Sequence, residues 1–241
     1  MSTRINALGQ PIGPALPNWQ PPSPPPRAPL YGRYCRLEPL DSERHSAELF
    51  ATHALDPEGR NWTYLGYGPF ADLVSYRAWM EQAATSDDPL FFAIMDNATN
   101  KAVGVASYLR ITPVSGAIEV GHIHYSEALK RTPAATEAMY LMMAQAFALG
   151  YRRYEWKCDA LNAPSRAAAQ RLGFSYEGLF RQATVYKGRS RDTAWYSVID
   201  ADWPALRAAF ERWLDPTNFD GQGRQHVALR TLTAPLLQSV G

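Results

Sequence analysis

The sequence predicts a single α+β (α/β) domain built on a mixed central sheet of about seven strands. Segments with the two-residue hydrophobic alternation of strands are interleaved with segments that have the 3.6-residue spacing of amphipathic helices. The chain also passes from a meander of three consecutive strands to a strand–helix–strand unit, and such a crossover joins parallel strands. A sheet that contains both arrangements is mixed.

The first 30 residues have an unusual composition. They include nine prolines, a density that favours extended polyproline II conformation and cannot bury a core. We therefore expect an N-terminal arm over 1–30, one domain over 31–214 and a C-terminal tail over 215–241, where no period is evident. The arm is either a flexible leader or a segment that packs through Leu16 and Trp19 on the domain or on a second subunit.

The first strand and two helices follow the arm. Cys35 and Leu37 alternate with charged neighbours, which predicts a strand. Asp41 or Ser42 then provides an N-cap for a helix that runs towards Leu55, and Asp72 starts a second helix.

Three strands are predicted next, over 90–96, 102–111 and 117–125. In the third, the apolar side chains lie on even positions before Gly121 and on odd positions after His122. One inserted residue near this pair predicts a β-bulge, a feature that often lies beside an active site. The alternative is a phase slip without function.

A strong helix start comes after the third strand. Thr132 is a good N-cap, Pro133 suits the first helical position, and Gly150 ends the apolar run. The alternating segment 154–160 then predicts a strand that leads directly to a short helix beginning at Asn162. A hairpin and a last amphipathic helix, which starts at Asp202-Trp-Pro204 and includes Trp213, complete the domain.

The stretch from Asn162 to Asp192 has the most specific pattern. It contains Asn162-Ala-Pro-Ser165, an alanine-rich helix ending in Arg171-Leu-Gly-Phe174, then Glu177-Gly178 and a hairpin turn over 188–192. This pattern resembles the C-terminal half of GNAT acetyltransferases, most closely the RimJ/RimL type, which acetylates ribosomal-protein N-termini and other substrates. The resemblance covers residues 31 to about 213. It implies a sheet flanked by helices on both faces, with two parallel strands splayed at the bulge to admit an acyl-CoA arm.

The resemblance implies acetyl-CoA as cosubstrate. A helix N-terminus is an economical site for its pyrophosphate, because the first amides are free and the dipole is positive there. The expected cofactor-binding residues at the helix start are Lys130, Arg131, Ala134, Ala135 and Thr136. Arg131 and Pro133 stand where the family usually has glycines, so the charges of Lys130 and Arg131 would replace lost amides. The alternative is that both charges are solvated and the phosphate site has decayed.

Asn162 and Ser165 are the candidates nearest the thioester. Asn162 resembles the family asparagine that binds the pantetheine arm, and Ser165 matches the serine that RimL-type enzymes place near the sulfur. Ser165 would then protonate the leaving thiolate, since the helix lacks the tyrosine that many relatives use. The structural alternative is that Asn162 is only an N-cap and Ser165 an ordinary first-turn residue.

The general base is less defined. Thr184 occupies the position of the RimL-type glutamate and cannot act as a base at neutral pH. The candidates on the bulged strand are His122, His124 and Glu119, because histidine titrates in the useful range. Asp159 or solvent are the remaining possibilities.

The resemblance implies an N-acetyltransferase that transfers acetyl by direct attack of a primary amine, whether a protein N-terminus or a small molecule. Trp62, Tyr64 and Tyr67 lie in a segment that lines the acceptor cleft in relatives, although a lid or core role is equally consistent. The alternative function is a non-catalytic GNAT-like module that binds acyl-CoA or a protein. A dinucleotide-binding or P-loop protein is disfavoured because neither glycine motif follows a strand.

Composition restricts the partners and the compartment. The formal net charge is +1, so no global basic field indicates nucleic acid or an anionic membrane as a partner. Cys35 and Cys158 have no paired spacing, which predicts neither a disulfide nor a metal site and favours the cytoplasm. The N-terminal residues include no apolar h-region, and no window approaches the roughly 18 apolar residues that span a bilayer, so we expect a protein that is neither secreted nor membrane-spanning. A homodimer is left open.

Overall fold

The computed structural model describes residues 4–241, and it confirms the predicted mixed sheet with helices on both faces. Eight strands form this sheet in the order β3-β4-β5-β6-β7-β8-β10-β9. The strands are β1 (Arg4–Ile5), β2 (Pro11–Ile12), β3 (Leu30–Tyr31), β4 (Cys35–Pro39), β5 (Leu90–Asp96), β6 (Lys101–Thr112), β7 (Ala117–Tyr125), β8 (Arg153–Asp159), β9 (Ser175–Tyr186) and β10 (Arg189–Ile199). The helices are α1 (Ser42–His53), α2 (Leu73–Thr85), α3 (Pro133–Ala148), α4 (Ala163–Arg171), α5 (Trp203–Leu214) and α6 (Leu229–Thr233).

The differences from the predicted elements are small. The eighth sheet strand is β3, which is only two residues long and therefore has no readable alternation. The pair β1 and β2 forms a separate small sheet inside the proline-rich arm. Helix α1 ends at His53 rather than Leu55, and the tail contains α6, which at five residues is too short to show a helical period. The division of the chain at residues 30 and 214 stays a prediction.

Two apolar layers hold the helices on the sheet. On one face, α3 and α5 contribute Met142, Met143 and Phe210 to the larger core. On the other face, α1 and α2 place Leu49 and Met80 against β5 and β6. Among residues 4–241, no helix has both the length and the hydropathy that a bilayer span requires.

The bulge in β7 is confirmed, together with the separation of the parallel strands. In the antiparallel pairing of β6 with β7, Val105 pairs with His124 and Ser107 with Gly121. Between these two pairs β6 advances by two residues and β7 by three, so β7 contains one extra residue. His122 has a left-handed φ of 50° at this point. The parallel ladder of the described chain pairs 117–120 with 153–156 only. Beyond it β7 continues beside β6, and β8 beside β10, so a gap opens between them.

A buried carboxylate joins α3 to the start of the sheet. Glu137 is 5% exposed and accepts the backbone N–H groups of Arg33, Tyr34 and Cys35 at 2.8, 2.6 and 2.8 Å. Three backbone amides, of which that of Cys35 is buried, thereby have a common acceptor. The contact fixes the position of α3 relative to β4.

The change Glu137→Gln is expected to lower the free energy of unfolding by about 2–4 kcal/mol. The amide side chain keeps the shape but turns an NH2 group towards at least one backbone N–H, which then loses its acceptor. Urea unfolding measures the difference. Glu211→Gln is the matched control, because Glu211 is exposed and surface ion pairs such as the one it forms with Arg207 contribute little to stability. Equal losses in the two variants would contradict the role of Glu137.

The proline-rich arm packs on the domain at three-residue intervals. Trp19 is partly buried, and Pro22 and Pro25 are buried, which is the periodicity of a polyproline II helix with one face inward. Trp19 covers Gly116, where a Cβ atom would lie 2.3 Å from the indole. Arg27 donates to the carbonyl groups of Ala84 and Ser86 at the end of α2. Packing on the domain, one of the two expected alternatives, is what the structure shows for this part of the arm.

Candidate active site

A cleft of about 1030 Å³ lies where β7 and β8 separate. Its walls are the N-terminus of α3, the exposed face of α4 and a loop of the C-terminal segment. Seven of the predicted site residues line it: His124, Lys130, Arg131, Ala135, Thr136, Asn162 and Ser165. Ala134 is buried behind this wall, and neither His122 nor Glu119 lines the cleft.

The cleft is strongly cationic although the chain is nearly neutral. Its lining includes Lys130, Arg131, Arg171 and Arg224 and no carboxylate. Lys130 donates to Asn61 and pairs with Glu127, and Arg224 pairs with Asp220. Within residues 4–241, Arg131 and Arg171 form no ion pair within 4 Å. Such a site favours an anionic ligand with more than one charge.

Two of these cations were not predicted from the sequence. Arg171 belongs to the Arg-Leu-Gly-Phe motif, where it gives no local sign of a ligand contact. Arg224 lies in the segment without hydrophobic period, so only the three-dimensional structure brings it to the cleft.

The start of α3 has the geometry of an anion site. Thr132 Oγ1 donates to the Leu129 carbonyl at 2.7 Å and accepts from the Ala135 amide at 3.2 Å. Pro133 has no amide, and the Ala134 N–H has no intrahelical acceptor at this position. Arg131 adopts a left-handed φ of 62°, a conformation that glycine adopts without strain. The side chain is exposed, so the guanidinium is free to meet a ligand at this helix end.

Ser165 is held as a hydrogen-bond donor. The indole Nε1 of Trp156 donates to Ser165 Oγ at 3.0 Å. An indole N–H can only donate, so Oγ is the acceptor in this bond and the hydroxyl proton is left for another partner. Burial raises the pKa of the nearby Cys158 thiol. The serine can therefore give a hydrogen bond to a sulfur atom on this side of the cleft.

Asn162 combines a cap with a free donor. Its Oδ1 accepts the Ser165 amide at 3.2 Å, which starts α4. The side-chain NH2 group has no partner among the described residues. The cap and a ligand contact are thus compatible in the same side chain.

Burial keeps the two strand histidines neutral. His124 stacks on Trp62, with ring centroids 4.0 Å apart, and meets His53 edge to face at 4.5 Å. Desolvation lowers the pKa of His124 to about 3, with further lowering from His53 and Lys130. His122 packs on Tyr67 and Phe91, and desolvation followed by the charge of Arg110 lowers its pKa to about 4.

Glu119 lies in an ion-pair cluster rather than in the cleft. Arg110 Nη1 contacts one carboxylate oxygen at 2.7 Å, and Lys157 Nζ contacts the other at 2.9 Å. Burial raises the pKa of Glu119, and these two cations oppose the rise. Asp159 accepts from the Tyr186 hydroxyl at 2.7 Å and from the Leu161 amide at 2.9 Å. Both carboxylates are already engaged by neighbours.

The aromatic segment before α2 has mixed roles. Trp62 is buried against His124, and Tyr67 stacks on Trp79 at 4.6 Å. Tyr64 donates to the Leu161 carbonyl at 3.1 Å, which connects this segment to the loop before α4. The β9–β10 turn closes on the same segment through Lys187, which donates to the Trp62 carbonyl.

Comparison with known proteins identifies the class. The model of the acetyltransferase (GNAT) domain family matches residues 35–175. A solved GCN5-related N-acetyltransferase from Brucella melitensis is 47% identical, with 91% of this chain and all of that chain covered and a TM-score of 0.89. The chain belongs to the GNAT acetyltransferase family.

More distant relatives agree with this assignment. An N-acetyltransferase named p20 from Bacillus licheniformis is 24% identical over 70% of this chain and 95% of its own length. RimL, a ribosomal L7/L12 α-N-protein acetyltransferase, shares the fold at 22% identity with a TM-score of 0.57, covering 70% of this chain and 91% of that one. The fold is also that of the microcin C7 self-immunity acetyltransferase MccE, which was solved with acetyl-CoA and AMP, at 20% identity and a TM-score of 0.61 over 70% of this chain and 93% of that one.

The chain is accordingly an acetyl-CoA-dependent N-acetyltransferase. The cosubstrate is acetyl-CoA, and the residues present fit it. The cleft offers unpaired cations for phosphates, and the free donors of Asn162 and Ser165 lie where β7 and β8 separate.

Proposed function

We propose that acetyl-CoA lies in the cleft between α3 and α4 and transfers its acetyl group directly to a primary amine at the gap between β7 and β8. The observation that carries this proposal is the lining of the cleft, which has four cationic side chains and no carboxylate. Ser165 lies in the first turn of α4 and Arg171 is its last residue. The thioester and the phosphates of the cosubstrate would therefore lie at different ends of the same helix.

Two side chains have proposed roles at the thioester. Ser165 donates its hydroxyl proton to the departing sulfur and takes a proton back from solvent, while the Trp156 indole N–H donates to the serine oxygen. Asn162 donates its side-chain NH2 group to the pantetheine arm while Oδ1 caps α4. The tetrahedral intermediate forms when the amine nitrogen attacks the carbonyl carbon, and it collapses as the carbon–sulfur bond breaks.

We propose His124 as the general base, in preference to His122 and Glu119, because it is the one of these three residues that borders the cleft. Its pKa of about 3 keeps it neutral at pH 7 and makes it a weak proton acceptor. His124 would therefore receive the amine proton only as the tetrahedral intermediate forms. Direct deprotonation by solvent is the competing route, and turnover of His124→Asn against pH decides between them.

The assay that tests the function is release of CoA thiol from acetyl-CoA in the presence of an amine panel. The panel contains short peptides with free N-termini, polyamines, amino acids and aminoglycosides. The RimJ/RimL-like pattern at 162–192 favours the peptides as acceptors. We infer that the enzyme is cytoplasmic. If no amine in the panel accelerates thiol release while acetyl-CoA still binds, the non-catalytic module takes the place of the enzyme.

Arg131→Ala is expected to weaken acetyl-CoA binding by about tenfold or more. The reason is that the guanidinium would contact the pyrophosphate through charge-assisted hydrogen bonds, each worth roughly 1.5–3 kcal/mol. Calorimetry at two salt concentrations measures the effect, and the affinity of the wild-type protein is expected to fall as salt rises.

Two further variants separate charge from backbone in this prediction. Arg131→Gly keeps the left-handed conformation without strain and removes the charge, so it is expected to bind as weakly as Arg131→Ala. Arg212→Ala removes an exposed arginine at the end of α5, outside the cleft, and is expected to bind as the wild type does. Wild-type affinity in Arg131→Gly would show that the charge is not needed.

A further inference from the structure

The segment after α5 forms a rigid loop at one end of the cleft. Asn218 is buried and uses its whole side chain to hold the loop: its amide donates to the carbonyls of Trp213 and Val227, and its Oδ1 accepts the Val227 amide. Asp220 accepts the backbone amides of Gln222 and Arg224, and Gly223 has the positive φ of 74° that the turn requires. The loop is therefore preorganised before any ligand binds.

A chain of contacts connects this loop to the start of α3. Trp213 Nε1 donates to Gln225 Oε1 at 2.8 Å, next to Arg224 in sequence. The Arg171 guanidinium lies 5.2 Å from the centroid of the Trp213 ring, and its Nη1 donates to Thr136 Oγ1 at 3.1 Å. Arg171 thus stands between the first turn of α3 and the loop, and both arginines line the cleft.

Arg171 has donors left over. A guanidinium carries five N–H groups, and Thr136 is its one hydrogen-bond acceptor among the described residues. Burial lowers the pKa of Arg171. No carboxylate of residues 4–241 forms an ion pair with it. A partly buried cation without a counter-ion, facing a cleft, has unmet capacity for an anion.

The cosubstrate has two separate anionic groups. Its pyrophosphate follows the pantetheine arm, and its 3′-phosphate is on the ribose beside adenine. The helix start at Arg131 would hold one of them, so a ligand that fills the cleft needs a second cationic site. Phe219 and Trp213 also line this end and offer apolar surface to a purine ring.

We propose that the loop 219–225, together with Arg171, forms the subsite for the 3′-phosphoadenosine end of acetyl-CoA. This inference rests on the proposed binding of acetyl-CoA between α3 and α4. It assigns a ligand-binding role to a segment that lies outside the matched family region 35–175. Arg224 at the rim and Arg171 behind it would together bind the 3′-phosphate.

The test compares CoA with dephospho-CoA, which lacks the 3′-phosphate, by calorimetry. The wild type is expected to bind CoA about tenfold or more tightly than dephospho-CoA. Arg224→Gln is expected to remove most of that preference by weakening CoA binding, with the affinity for dephospho-CoA within about twofold of the wild type. Arg131→Ala is expected to weaken both ligands by the same factor.

The controls keep the result interpretable. Arg230→Gln removes an exposed arginine from α6, outside the cleft, and is expected to leave both affinities unchanged. Thermal unfolding of Arg224→Gln is expected to match the wild type because Arg224 is exposed. Equal affinities of the wild type for the two ligands, or equal weakening of both by Arg224→Gln, would overturn the subsite and leave the proposed function intact. Absence of any CoA binding to the wild type would instead overturn the proposed function.

Discussion

Replacing Ser165 with alanine is expected to lower turnover by about 10²- to 10⁴-fold at saturating substrates. Trp156 occupies an acceptor position of the serine oxygen, so the hydroxyl proton is available for the thiolate that leaves during acetyl transfer. That charge develops only as the carbon–sulfur bond breaks. The affinity for acetyl-CoA is therefore expected to change little, because the contact contributes mainly in the transition state.

Steady-state kinetics and calorimetry together check this result. The backbone amide of residue 165 still donates to Asn162 in the alanine variant, so the start of α4 is kept. Ser115→Ala is the matched control, since Ser115 is an exposed serine outside the cleft. Trp156→Phe keeps the hydroxyl but removes the bond that orients it, and a smaller loss of turnover is expected. Unchanged turnover in Ser165→Ala would remove the serine from the mechanism.

Acidification from pH 7 to pH 5 is expected to lower the free energy of unfolding by on the order of 4–6 kcal/mol. Desolvation lowers the pKa of His53 and of His122 to about 4, and that of His124 to about 3. Each value lies below the ordinary 6.5, so below pH 6.5 the unfolded chain takes up protons that the folded chain does not. Each histidine then costs about 1.4 kcal/mol per pH unit, and the stability is complete only above pH 6.5.

Urea unfolding at pH 7.5, 6 and 5 measures this dependence. His124→Phe keeps an aromatic ring against Trp62 and cannot titrate, so its share, about one third of the pH dependence due to these three histidines, is expected to disappear. His226→Asn, which changes an exposed histidine, is expected to keep the wild-type slope. An unchanged slope in His124→Phe would contradict the buried neutral state of this histidine.

The features predicted correctly from the sequence are those with local signals. Asp72, Thr132 and Asn162 accept backbone amides at the starts of α2, α3 and α4, as expected for residues that cap by short-range hydrogen bonds. The bulge near His122 was also predicted, because one inserted residue changes which side chains face the core.

The remaining features depend on contacts between distant parts of the chain. Glu119 lies on the same strand as the histidines, but its partners Arg110 and Lys157 come from β6 and β8. The depressed pKa of His124 arises from burial beneath Trp62, which no spacing in the sequence reveals. Arg224 reaches the cleft only because Asn218 folds the chain back after α5.

The docked arm has a mechanical consequence for the enzyme. Trp19 is fixed beside Gly116 and Arg152, where the parallel strands begin, and Arg27 is fixed at the end of α2. A polyproline II segment rises about 3.1 Å per residue and is already almost fully extended. Residues 19–27 would therefore form a semi-rigid spacer roughly 25 Å long that cannot lengthen much further. An outward displacement of α2 would therefore have to break the Arg27 contacts or move Trp19 away from Gly116, so the arm restrains α2 relative to the start of the parallel strands.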